Sequence, residues 1–89
     1  MEREIIHLPE KNRFEYQEND RIAFVEYVQT AESLDIKHTF VPNFLEGQGI
    51  ASALVKAAYD YALTNGLKPK ATCSYAVTWL QRHPEYQKE

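Results

Sequence analysis

Apolar and polar positions alternate along the first half of the chain and then change period. Arg13–Gln17 sets Phe14 and Tyr16 on one side and polar residues on the other, the signature of a half-buried strand. Arg21–Val28 is apolar at both parities except for Glu26, which predicts a central strand covered on two sides. Leu34–Val41 alternates again, with Leu34, Ile36, His38 and Phe40 sharing one face and Asp35, Lys37, Thr39 and Val41 the other. Between these runs, Asn19-Asp20 marks a tight reversal because both residues tolerate positive φ, and Gln29–Ser33 forms a second turn of open type. Ahead of them, Glu4–Leu8 reads as a short strand stopped by Pro9 and the polar turn that follows. Short turns between successive strands make an antiparallel meander.

At Ile50 the period becomes helical. Ile50, Leu54, Ala57, Ala58, Tyr61 and Ala62 recur on one face, and Asn65-Gly66 closes the helix, with Gly66 free to adopt the left-handed C′ conformation. Lys70–Cys73 then reads as a short strand, parallel to the strand before the helix in a β-α-β crossover. Ser74 is an N-cap candidate for a second helix, Tyr75–Arg82, with Ala76, Trp79 and Leu80 inward; Pro84 ends it at His83, leaving Tyr86–Glu89 as a polar tail. The class expected is α+β: a mixed sheet, meander first and β-α-β-α unit second, in one domain over residues 1–89.

Composition narrows the function classes. With 44% hydrophobic and 26% charged residues, the 89-residue chain has the balance of a folded globular protein, and no apolar run approaches the ~20 residues of a membrane span. The charged N-terminus does not read as a signal peptide, so cytoplasmic residence is the expectation. A net charge of −3 speaks against non-specific nucleic-acid binding and suits a cationic substrate. Cys73 is the single cysteine, which excludes an internal disulfide, and His7, His38 and His83 are too scattered to suggest a metal site.

Three places carry candidate chemistry. Glu46-Gly47-Gln48-Gly49 lies between strand and helix, where glycines and the unpaired amides of a first helical turn can receive an anion; the plainer reading is a turn and nothing more. Just before this loop, Pro42 stops ladder pairing, so the strand is expected to part from its neighbour near Val41 and leave backbone groups available. Cys73 stands at a strand end before a helix N-terminus, which favours thiolate, although free cysteine is also a common buried core residue. His38, on its apolar stripe, reads as a packed histidine or as a base; Glu26 as a proton acceptor or, more simply, as the point where its strand meets solvent. Trp79 reads as core. No Ser-His-Asp arrangement can be assembled.

Taken together, His38-Thr39-Phe40-Val41-Pro42, Glu46-Gly47-Gln48-Gly49-Ile50-Ala51, Cys73-Ser74-Tyr75 and His83-Pro84-Glu85-Tyr86, in this order and spacing, resemble the GNAT acetyltransferase superfamily, and within it the small single-domain members with a Cys-Ser-Tyr segment. The resemblance implies acetyl-CoA as co-substrate, with its pantetheine arm along the backbone of Thr39, Phe40 and Val41 and its pyrophosphate on Gly47, Gln48, Gly49, Ile50 and Ala51. It implies a place for Cys73 beside the thioester sulfur, where a transient acetyl-cysteine is conceivable, and for His38 as general base or partner of Cys73. Tyr75 would touch the cofactor or the acceptor, or else serve only to pack its helix. The activity implied is transfer of acetyl to an amine, direct or through Cys73, with backbone N–H near Phe40–Val41 stabilising the oxyanion. Two departures stand out: Glu46 occupies a position usually held by Gln or Arg, so its carboxylate is expected to face away with only its backbone N–H contributing, and the acceptor-side N-terminal helices of larger members are missing. A non-catalytic CoA- or acyl-CoA-binding module is therefore the alternative, and an interaction domain whose glycine loop is only a turn is the third reading. The acceptor, small molecule or protein, and the oligomeric state are open.

Overall fold

A computed structural model of the chain describes residues 4–87. Five strands form one sheet in the order β1-β2-β3-β4-β5. They are β1 (Ile6–Leu8), β2 (Arg13–Glu18), β3 (Arg21–Gln29), β4 (Ser33–Phe40) and β5 (Lys68–Ala71); the helices are α1 (Ile50–Thr64) and α2 (Ser74–Arg82). The first four strands are antiparallel neighbours and β5 lies parallel to β4, so the meander and the β-α-β crossover both form as the periodicity predicts.

Local chemistry sets the turns. Asn19 and Asp20 take φ of 52° and 62°, the left-handed pair that a two-residue hairpin needs to match strand twist. In the β3–β4 turn the Thr30 hydroxyl accepts the N–H groups of Glu32 and Ser33, at 3.2 and 3.0 Å. Gly66, at φ 72°, lets the Leu67 N–H return to the Ala62 carbonyl and closes α1.

The core lies on one face of the sheet. Val25, Tyr27, Leu34 and Ile36 meet Ile50, Leu54, Val55, Ala58, Tyr59 and Ala62 of α1 together with Ala76, Trp79 and Leu80 of α2. Val55 and Tyr59, outside the stripe read from sequence, are buried because α2 covers that flank: the Trp79 ring lies 5.7 Å from Tyr59, and its N–H donates to Ser52. Ala57 and Tyr61 are only partly covered.

Several expectations fail for identifiable reasons. β3 is not covered on both sides, since both helices pack on one face; Ile22 and Val28 are 40% and 46% exposed. The inward stripe of β4 breaks at a β-bulge. Tyr27 pairs with Ile36 but Glu26 pairs with His38, so Lys37 is the extra residue and the facing of every later side chain inverts. His38 and Phe40 therefore stand on the open face beside Phe24, at ring distances of 5.7 and 5.6 Å, while Thr39 turns toward the helices. Element limits also move: β1 begins at Ile6 rather than Glu4, β5 lies two residues earlier, and Cys73, not Ser74, is the N-cap of α2. The expected polar tail is partly folded. Tyr86 sits in a 3-10 turn, Pro84–Tyr86, and its buried phenol donates to Asp60 at 2.6 Å; Lys88 and Glu89 lie outside the described residues.

Candidate functional site

Where β4 and β5 part company is decided by hydrogen bonding. Their pairing ends at Ile36 and Ala71, and the Ile36 carbonyl accepts the N–H groups of both Thr72 and Cys73, at 3.0 and 3.1 Å, which swings the chain away into α2. β4 continues to Phe40 with a ladder to β3 alone. Its other edge thus opens from Lys37, five residues before Pro42. The sequence places the parting too late because neither the bulge nor the end of β5 leaves a proline-like mark.

Cys73 sits at this fork, half-buried, with its sulfur 3.5 Å from the Thr39 hydroxyl. Burial pushes the thiol up. Interactions with the Thr39 hydroxyl and with the backbone N–H groups of Ala76, Tyr75 and Thr39 outweigh it, and the net shift is below the ordinary 9.0. The bulge that turns Thr39 inward therefore tunes the thiol. His38 is carried the other way, exposed beside Phe24, so the structure does not bring it to Cys73. Glu26, its cross-strand neighbour, is bound by Arg13 at 2.8 Å, and the same guanidinium holds the buried Glu15 at 2.9 Å.

Beyond Val41 a 3-10 turn, Asn43–Leu45, leads to the glycine loop. Gly47 and Gly49 take φ of 81° and 77°, and Gly49 caps α1. A Cβ at either would meet open space, so it is the left-handed backbone that calls for glycine, and the space beside it stays free. Among the described residues no backbone acceptor meets the N–H groups of Gly47, Gly49, Ile50, Ala51 or Ser52. The Glu46 N–H is committed to the Asn43 carbonyl at 3.1 Å, against the expectation that it would serve a ligand. A cleft of about 270 Å³ runs along these groups, walled by Val41, Leu45, Gly47, Ile50, Ser52 and Tyr75, with Glu46, Gly49 and Ala51 completing it. Tyr75, 40% exposed, stands in that wall rather than in the helix packing. Leu45 and Ser52 were not legible as site residues; only folding places them opposite α2.

A parted strand pair with a thiol at its fork, and a cleft along an amide-rich helix start, are the features that bear on function. Residues 13–89 match the sequence model of the GCN5-related N-acetyltransferases. The chain belongs to the GCN5-related N-acetyltransferase family. Among its relatives, Protein NATD1 of Xenopus tropicalis is 36% identical over 63 residues, 71% of this chain and 57% of the relative. Protein NATD1 of Homo sapiens is 39% identical over 51 residues, 57% of this chain and 45% of the relative. The chain thus spans about half the length of these relatives. The solution structure of a GCN5-like protein from Staphylococcus aureus superposes with a TM-score of 0.70 at 36% identity, covering 93% of this chain and 82% of that one. The α+β architecture is accordingly that of the acetyltransferase family, with five strands and two helices.

Proposed function

We propose that this chain is an acetyl-CoA-dependent N-acetyltransferase that moves an acetyl group to the amine of an acceptor. The supporting observation is the cleft that begins at Val41, just past β4, and runs beside the start of α1, where the N–H groups of Gly47, Gly49, Ile50 and Ala51 meet no backbone acceptor and two left-handed glycines leave open space. These groups fit acetyl-CoA. The amides of Gly47, Gln48, Gly49, Ile50 and Ala51 would hold its diphosphate at the positive end of α1, the backbone of Thr39, Phe40 and Val41 its pantetheine, and Tyr75 the wall of the cleft. Bound acetyl-CoA supplies an activated acetyl thioester. The protein's part is to fix that group at the fork, exclude water from it and present backbone N–H to developing oxyanion charge. Cys73 is the nearby nucleophile for a two-step route; direct attack by the acceptor needs no thiol.

One observation favours a second reading. His38 turns away from Cys73, which leaves the thiol without an imidazole partner and suits a CoA- or acyl-CoA-binding module with little catalysis. Titrating acetyl-CoA by calorimetry tests the shared part: binding is expected, and no heat and no thermal stabilisation at millimolar ligand would leave an interaction domain. Release of CoA thiol with a panel of amines then separates enzyme from module. Cys73→Ala should retain binding in either case; unchanged turnover in that variant removes the route through the thiol.

A further inference from the structure

The bulge residue itself spans the fork. Lys37 is the first residue of β4 beyond its last pairing with β5, and Thr72 is the first residue after β5. The Lys37 Nζ lies 3.4 Å from the Thr72 Oγ1 and 3.4 Å from the Asp35 carboxylate, to which the Thr72 hydroxyl also donates, at 3.0 Å. A primary amine is therefore laid across the gap at its apex, one residue from Cys73, with its side chain 47% exposed. The other lysines among the described residues are elsewhere: Lys11 in the first turn, Lys56 paired with Asp60 on α1, and Lys68 and Lys70 along β5.

We propose that Lys37 is an acetyl acceptor of this protein, modified within its own chain. The inference rests on the acetyltransferase reading above and extends it to a first substrate. In the step, the ammonium gives up a proton to solvent and the neutral Nζ attacks the thioester carbonyl. The N–C bond forms, the C–S bond breaks, and the CoA thiolate leaves and is protonated; the reaction is redox-neutral. Its advantage is proximity, because a tethered amine at the fork has an effective concentration no free amine reaches. The product is a neutral amide, so the ion pair to Asp35 is lost and the bridge over the fork is released.

The full chain, incubated with acetyl-CoA, would be followed by intact mass and by peptide mapping, with calorimetry on the same preparation. The expected result is acetylation at Lys37 at least ~10-fold faster than at Lys56, with a rate constant independent of protein concentration. The urea-unfolded chain should lose that preference. Lys37→Arg, which keeps a cation near Asp35 and Thr72, should abolish the fast phase while circular dichroism confirms the fold. Binding of acetyl-CoA with lysines modified evenly, or with a Lys37 rate proportional to protein concentration, overturns self-acetylation and leaves the acetyltransferase reading intact. Absence of binding overturns both.

Discussion

The thiol at the fork is set by one hydroxyl and three backbone N–H groups acting against burial. Thr39 stands 3.5 Å from the Cys73 sulfur and, with backbone N–H groups, outweighs the burial that opposes ionisation. Thr39→Val keeps the shape and removes the hydroxyl, so the Cys73 pKa should rise toward or past its ordinary value. Alkylation rate against pH would show this as an inflection displaced upward from that of the parent; an unmoved inflection would assign the shift to the backbone alone. A second titrating residue lies at the other end of the sheet. His7 stacks on Phe14 at 4.0 Å and shares a 2.7 Å hydrogen bond with the Tyr27 hydroxyl, and burial lowers its pKa below 6.5 despite an opposing pull from Glu10. The unfolded chain then binds the proton more readily, so stability is full above about pH 6.5 and declines as pH falls toward the folded-state value. Thermal melts between about pH 7 and pH 5 should show that decline, and His7→Phe, which preserves the stack on Phe14, should flatten it.

At the scale of elements, the start of α1 depends on Gly49. Its φ of 77° is left-handed and a Cβ there touches nothing, so Gly49→Ala isolates the backbone cost. A loss of about 1–2 kcal/mol in chemical denaturation is expected, and, on the function proposed above, weaker acetyl-CoA binding as the loop relaxes. A neutral change in both would mean that the loop adopts other conformations freely. Much at this scale was legible beforehand: the tight reversal at Asn19-Asp20, the length of α1 and its closure at Gly66, and the inward Ala76, Trp79 and Leu80 of α2 all follow from residues acting on their immediate neighbours. What was not legible is the bulge. Alternation in Leu34–Val41 continues unbroken through Lys37, yet pairing with β3 inserts an extra residue there and sends His38 to the face opposite the one its stripe implied.

For the molecule as a whole, the division follows the range of the forces. Turn and cap chemistry, hydrophobic period and the glycine loop act over a few residues, and from them the sequence by itself determined the class of fold, the order of its elements and the glycine loop that opens α1. Which strand edges stay unpaired, which face of β4 carries Thr39 and which His38, and how Lys37, Asp35 and Thr72 come together depend on partners distant along the chain. Registers between strands and the packing of α2 against α1 fix those neighbours, and no local pattern encodes them. Tertiary structure alone therefore put the fork at Ile36 rather than Pro42, separated His38 from Cys73, and folded Tyr86 back onto Asp60.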